Sequence, residues 1–182
     1  MIDSHCHLEH IKNVDEIIEN ARKKLRAIVT SSCEPKHASI GLELQERYKG
    51  FVFLCFGMHP QGLGKYNEKD IDSYVELIKQ NKNKVVAIGE IGLDYYWVKN
   101  KDQKDRCKEI FSIFIELSKE LKKPIVIHCR EAWDDTIEIL ENHNAKNVML
   151  HCFSGNENIL KKSLQRGYMI SYAIFNSLKN FI

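Results

Sequence analysis

The chain has 182 residues, of which 43% are hydrophobic and 29% charged, and its formal net charge at pH 7 is +2. This length suits one well-buried domain rather than two, so we expect residues 1–182 to form a single globular domain. The small net charge neither requires nor excludes a nucleic-acid partner, and no apolar run approaches the roughly 18–20 residues that cross a bilayer, so we expect no membrane partner.

The N-terminus and the cysteines bear on the cellular compartment. The segment that begins at Met1 has neither the basic stretch nor the apolar core of a secretory signal peptide, so we expect a cytoplasmic protein. The six cysteines include no CxxC pair, and a chain of this size does not need disulfides for stability. We therefore expect reduced thiols.

Short β-branched runs alternate with longer amphipathic stretches along the chain. Strands are predicted at 1–4, 27–30, 51–56, 85–88, 124–127, 147–150 and 168–172, and helices at 14–25, 35–48, 68–81, 103–121, 131–142 and 157–166. This alternation predicts an α/β fold with a parallel sheet, either an open doubly wound sheet or a closed (β/α) barrel. Chemically active residues at the carboxyl ends of many strands are typical of a TIM-type barrel, which we therefore predict, with seven strands.

His5 and His7 form an HxH pair directly after the first predicted strand. In an extended segment, alternation places both imidazoles on one side and Cys6 on the other. Two converging neutral imidazoles suit a divalent metal ion. Taken alone, the pair is equally consistent with two surface histidines in a loop.

The same placement recurs at three further strands. Glu90, His128 and His151 each follow an apolar run. A single histidine there is often a hydrogen-bonded core residue, but the repeated pattern predicts a metal centre, because a buried carboxylate must be paired or bound to metal. The cysteines beside these residues are expected to point away from the metal and to pack against the helices; they are Cys6, Cys129 and Cys152.

Three other polar residues are candidates for roles around this centre. His59 follows the third strand and is predicted to contact substrate, with metal ligation or a plain loop role as alternatives. The guanidinium of Arg130 suits a phosphate oxygen, unless it pairs with a neighbouring carboxylate such as Glu131. Asp94 is expected to orient a metal ligand through a hydrogen bond.

Five segments together resemble the TatD-type metal-dependent deoxyribonucleases of the amidohydrolase superfamily. They are IDSHCHL (2–8), GMHP (57–60), AIGEIGLDYY (87–96), PIVIHCREA (124–132) and LHCFSG (150–155), in the order typical of that family. The resemblance implies a TIM-type barrel that binds two divalent ions. His5 and His7 would hold one ion, His128 and His151 the other, and Glu90 would bridge them.

The resemblance also implies a catalytic role for Glu90 and His59, with His59 near the scissile phosphate and Arg130 helping to bind it. The implied activity is exonuclease-type hydrolysis of DNA phosphodiesters by a metal-activated water. The ligand types do not distinguish zinc, manganese, magnesium, iron or nickel. The alternatives are an amidohydrolase-type deacylase or amidase that uses the same site, and a catalytically impaired metal-binding fragment.

The sequence departs from the family pattern at its C-terminal end. The family's eighth strand ends in a Glu-Thr-Asp-type motif whose aspartate serves the attacking water, and no such motif follows the seventh predicted strand. We therefore expect a C-terminally incomplete domain: a truncated sequence, a barrel completed by a second subunit, or a short variant. An open barrel edge would favour self-association.

Overall fold

The architecture was determined from a computed structural model, which describes residues 1–172. In this part of the chain seven parallel strands form one sheet in the order β1-β2-β3-β4-β5-β6-β7, so each strand pairs with its neighbours in sequence. The strands are β1 (Ile2–Cys6), β2 (Ala27–Ser32), β3 (Val52–Phe56), β4 (Val85–Asp94), β5 (Ile125–Arg130), β6 (Val148–His151) and β7 (Met169–Ile170). The predicted parallel α/β fold is confirmed.

Within residues 1–172, six α-helices connect these strands as the periodicity predicts. They are α1 (Val14–Arg22), α2 (Ala38–Arg47), α3 (Glu68–Gln80), α4 (Lys101–Leu121), α5 (Trp133–Asn142) and α6 (Glu157–Gln165). The longest, α4, begins at the side-chain cap Asn100 and ends at Lys122, whose left-handed backbone stops the helix before Pro124. Its buried face includes Ile110, Phe111 and Phe114.

The sheet curls into a partial barrel rather than lying open and flat. The rings of His5 on β1 and His151 on β6 are stacked with their centroids 3.7 Å apart. Five strand spacings would separate them by about 24 Å in a flat sheet. Because the two strands face each other across the barrel, side chains from distant strand ends converge at one place.

Two layers of apolar side chains stabilise this curl. The outer layer packs the sheet against the helices, with Leu54, Phe56 and Ile88 fully buried against residues such as Phe114. The inner layer is smaller, with one residue from each of five successive strands: Val29, Cys55, Ala87, Val126 and Met149. Alternation along each strand sends one set outward and the other into the barrel interior.

Several further expectations bear on the chain as a whole. The six cysteines all lie within the described residues and are free thiols. No helix in residues 1–172 combines the length and the apolar character required to cross a bilayer. The prediction about the eighth strand concerns sequence beyond the described residues. We propose that 1–182 forms one domain, and self-association through a sheet edge stays a prediction.

Candidate metal centre

Glu90 lies at the centre of the site, inside β4 rather than at its end. The prediction that this strand ends near Ile88 is wrong, because pairing with β5 continues to Asp94. The Glu90 residue is 4% exposed, yet it carries its charge into the barrel mouth. Burial raises the pKa of the carboxyl, but hydrogen bonds from His128 and His5 lower it by a larger amount. The pKa of Glu90 therefore lies well below its usual value.

Two glycines allow β4 to approach β5 this closely. A Cβ at Gly89 would lie 2.6 Å from the Val126 carbonyl oxygen, and one at Gly92 would lie 2.1 Å from the His128 carbonyl oxygen. Gly92 also has a φ of +138°, which other residues rarely adopt. The backbone on both sides of Glu90 therefore lies close to β5.

The first group of donor atoms consists of His5, His7 and one oxygen of Glu90. The two Nε2 atoms are 3.2 Å apart, and they lie 3.3 Å (His5) and 3.6 Å (His7) from Glu90 Oε2. Two ligands of a tetrahedral ion with bonds near 2.1 Å are separated by about 3.4 Å. The three spacings therefore suit a single divalent ion.

The backbone and the second ring nitrogens hold this group in place. His7 Nδ1 lies 2.8 Å from the Ser31 carbonyl oxygen, which accepts its proton and leaves Nε2 free to face Glu90. His5 Nδ1 lies 3.3 Å from the Ser31 hydroxyl. Between the two histidines, Cys6 turns its thiol toward the Val29 carbonyl oxygen, as alternation predicts.

The second group faces the other oxygen of the same carboxylate. His128 Nδ1 lies 3.4 Å from Glu90 Oε1, and one ring nitrogen of His59 lies within 4.8 Å of this pair. Asp94 Oδ2 lies 3.1 Å from His128 Nε2 and accepts its proton, which directs the Nδ1 lone pair toward Glu90. The predicted orienting role of Asp94 has this contact as its structural basis.

His59 lies directly against His128, with the two ring centroids 4.2 Å apart. Burial and the neighbouring His128 lower its pKa to about 4, so the imidazole is neutral at pH 7. The Gln61 backbone N–H donates to His59 Nδ1 at 3.3 Å, which places the ring proton on Nε2. In this tautomer His59 donates a hydrogen bond rather than a lone pair.

The resemblance makes His151 the partner of His128 at the second ion, but in the structure its ring stacks on His5 of the first group. It is aligned with His128 in the β5–β6 register, but it belongs to neither donor group among the described residues. Its Nδ1 lies 3.3 Å from the Ser171 hydroxyl. Burial and the neighbouring His5 lower its pKa to about 4. His151 is thus a neutral imidazole beside the centre, and its metal ligation stays a prediction.

The cysteine prediction is correct for Cys129 and wrong for Cys152. Cys129 is buried against α5, where the Thr136 hydroxyl donates to its sulfur. Cys152 instead brings its sulfur to 3.0 Å from His151 Nε2. The reason is its left-handed backbone, with a φ of +47°, which turns the chain just after β6 ends, so alternation no longer applies.

Cys33 is a site residue that the sequence reasoning missed. It directly follows β2, and its thiol donates toward Glu90 Oε2 at 3.6 Å. Burial and the Glu90 charge raise its pKa well above the usual thiol value, so it is a neutral thiol in the metal-free site. Cys33 has the same kind of position, directly after a strand, as the residues that the sequence pattern identified.

Arg130 leaves the sheet at the rim of the site and stacks on an aromatic ring. Its guanidinium carbon lies 3.8 Å from the ring centroid of Tyr96. Within residues 1–172 no carboxylate forms an ion pair with it, and Glu131 pairs instead with Lys99. Trp97, 60% exposed, packs edge-on against Tyr96. The rim thus combines a cation with two aromatic faces.

Comparison with known proteins identifies relatives of the whole arrangement. Residues 2–180 match the family model described as TatD related DNase. The chain is 38% identical to a metal-dependent hydrolase of Methanocaldococcus jannaschii over 93% of its own length and 66% of the relative's. It is 32% identical to human deoxyribonuclease TATDN3, covering 94% of this chain and 67% of that protein.

Solved structures agree with the sequence relatives. A TatD homologue from Escherichia coli superposes with a TM-score of 0.82 at 26% identity, over 93% of this chain and 66% of the other. The chain thus spans about two thirds of the length of the relatives it matches. The family model covers nearly all of the chain, and the barrel and its histidine-rich mouth have the same order of elements as predicted from the motifs; the chain belongs to the TatD family.

Proposed function

We propose that the protein is a two-metal-dependent hydrolase that cleaves phosphodiester bonds in DNA in exonuclease fashion. The observation that carries this proposal is the division of the Glu90 carboxylate between two donor groups. Oε2 faces His5 and His7, and Oε1 faces His128. A carboxylate shared in this way is suited to bridge two ions.

The donor chemistry supports divalent ions rather than a purely structural cluster. Within the described residues the ion-pair contacts of the Glu90 carboxylate are all with imidazoles, and no lysine or arginine lies within ion-pair distance. Imidazole and carboxylate donors suit zinc, manganese, iron or nickel, while magnesium is less natural for histidine. When bound, such ions would activate a water molecule and stabilise charge on the attacking and leaving oxygens.

The residues around the ions have roles that follow from their contacts. His59 Nε2–H is free to donate to a phosphate oxygen, since Gln61 occupies Nδ1. Arg130 would bind a second phosphate oxygen from its place over Tyr96. Exposed aromatic faces bind unpaired bases by stacking, so Tyr96 and Trp97 favour a single-stranded end as substrate.

The test measures metal content and hydrolysis together. The protein is loaded with zinc or manganese, and its activity is assayed on end-labelled single-stranded DNA and on a nitrophenyl phosphodiester. We expect Glu90→Gln to lose both ions and both activities. Glu116→Gln is the control, because Glu116 lies on α4 and among the described residues forms ion pairs only with His143 and Lys119.

Three results would contradict separate parts of the proposal. Loss of only one ion in Glu90→Gln would show that the carboxylate does not bridge. A fully loaded protein that cleaves neither substrate would overturn the phosphodiesterase assignment and leave only a metal-binding protein. His59→Gln should keep the metal content and lower kcat/KM; loss of an ion instead would make His59 a ligand.

A further inference from the structure

A second cluster of metal-type donors lies outside the centre built on Glu90. We call Glu9, His10 and His37 the outer cluster. Glu9 and His10 lie in the 3₁₀ turn after β1, and His37 precedes α2. One donor atom from each residue lies within 4.8 Å of the other two. His10 and His37 also line an open cavity of about 410 Å³ that reaches Glu90.

Glu9 is buried with one oxygen unpaired. Its side chain is 1% exposed. Oε2 accepts a hydrogen bond from the Thr30 hydroxyl at 3.2 Å, but Oε1 has no hydrogen-bond partner. The nearest candidate donor, His7 Nδ1, lies 3.5 Å away and directs its proton to the Ser31 carbonyl oxygen at 2.8 Å. A buried carboxylate oxygen without a partner is costly.

The two histidines present their nitrogens toward the same place. His37 Nδ1 is buried and has no hydrogen-bond partner. His10 packs edge-on against His37, with ring centroids 5.0 Å apart, and its Nε2 lies 3.9 Å from the unpaired Glu9 oxygen. Within residues 1–172 no lysine or arginine lies within ion-pair distance of Glu9. A cation bound among the three residues would give the unpaired Glu9 oxygen a partner.

We propose that the outer cluster is a third divalent-cation site, with Glu9 Oε1 and one nitrogen each of His10 and His37 as ligands. Two imidazoles and one carboxylate leave a position for water and suit a zinc-type ion. His7 lies between the two sites, with Nε2 toward Glu90 and Nδ1 on the side of Glu9. The site requires none of the ligands proposed for the bridged pair, so it stands independently of the proposed function.

The test counts bound ions in matched variants. The protein is equilibrated with Zn²⁺ alone and its metal content is measured after dialysis, and a parallel titration with Co²⁺ records visible absorption. The double variant His10→Asn/His37→Asn should bind one equivalent fewer than the unmodified protein and lose part of the Co²⁺ absorption. His143→Asn is the control, since His143 pairs with Glu116 far along the chain from this site and should keep every equivalent.

Glu90→Gln separates the two sites. This variant should keep the equivalent of Zn²⁺ that the double variant loses. Loss of the bridged centre and loss of the outer site therefore change the metal content of different variants. Circular dichroism confirms that each variant is folded. If the folded double variant binds as much Zn²⁺ and Co²⁺ as the unmodified protein, the proposal is wrong, and the cluster is only a histidine–carboxylate contact.

Discussion

The carboxylate of Asp94 and the imidazole of His128 are in direct contact, with 3.1 Å between Oδ2 and Nε2. Asp94 is itself held by the backbone N–H groups of Tyr96 and Trp97, which both donate to Oδ1. The turn after β4 thus fixes the carboxylate, and the carboxylate fixes which nitrogen of His128 faces Glu90. Metal affinity should depend on this chain of contacts.

We expect Asp94→Asn to weaken binding at the His128 side of the centre by about 10- to 100-fold. An amide can present N–H to His128 Nε2, which would move the ring proton to Nδ1 and block the lone pair. Competition with a metal-sensitive dye measures the affinity. Asp134→Asn, at an exposed position on α5, is the control, and equal affinities in the two variants would refute the orienting role.

Proton release should accompany metal binding. Burial lowers the pKa of His128, but hydrogen bonds to Asp94 and Glu90 raise it more, to about 9 in the metal-free protein. At pH 7 the imidazole therefore carries a proton that an ion must displace, and affinity should rise with pH up to about 9. Calorimetry in buffers of different ionisation enthalpy measures the released proton, and His128→Gln should release less.

The same raised pKa makes the stability of the metal-free protein depend on pH. A group whose folded pKa lies above its unfolded value stabilises the fold fully below the unfolded value, near 6.5, and this stabilisation is lost as pH rises through about 9. Denaturant unfolding at pH 6 and pH 9.5 should show the loss. His128→Gln should show a smaller one, and an identical pH dependence in both proteins would contradict this account.

The aromatic rim should contribute to nucleic-acid binding and little to metal binding. Trp97→Ala removes an exposed stacking face, and we expect affinity for single-stranded DNA to fall on the order of 10-fold. Fluorescence anisotropy with a labelled oligonucleotide measures the change. Leu164→Ala removes a comparably exposed apolar side chain on α6 and should leave DNA binding unchanged. Equal losses in both variants would argue against stacking.

Gly92→Ala should destabilise the protein by about 3 kcal/mol or more, because its Cβ would lie 2.1 Å from the His128 carbonyl oxygen at a φ of +138°. Gly50→Ala is the comparison that separates backbone strain from a steric clash of the new Cβ. Gly50 has a φ of +82° but nothing within 4 Å of its Cβ position, so only about 1 kcal/mol is expected. Urea unfolding measures both, and similar costs would mean that β4 and β5 can move apart.

The order of strands and helices could be predicted from the sequence because hydrophobic periodicity is local. The end of β4 could not, since Gly89 and Gly92 are typical of a loop and their real function, close approach to β5, is a tertiary contact. His5, His7, Glu90 and His128 were identifiable because each lies in, or directly after, a strand that opens onto the barrel mouth. The direction of the Cys152 thiol depends on one backbone angle that no pattern specifies.

The curl of the sheet has a consequence for how long the folded chain survives. Residues at the first strand, the middle of the chain and the fifth strand meet at one carboxylate, so an ion held there ties the N-terminal strand to the far side of the barrel. Unfolding must then release the ion, and at a free concentration of 100 Kd this adds about 2.7 kcal/mol to the stability. If the site binds metal as proposed, the concentration of free metal around the protein would determine its resistance to proteolysis as well as its activity.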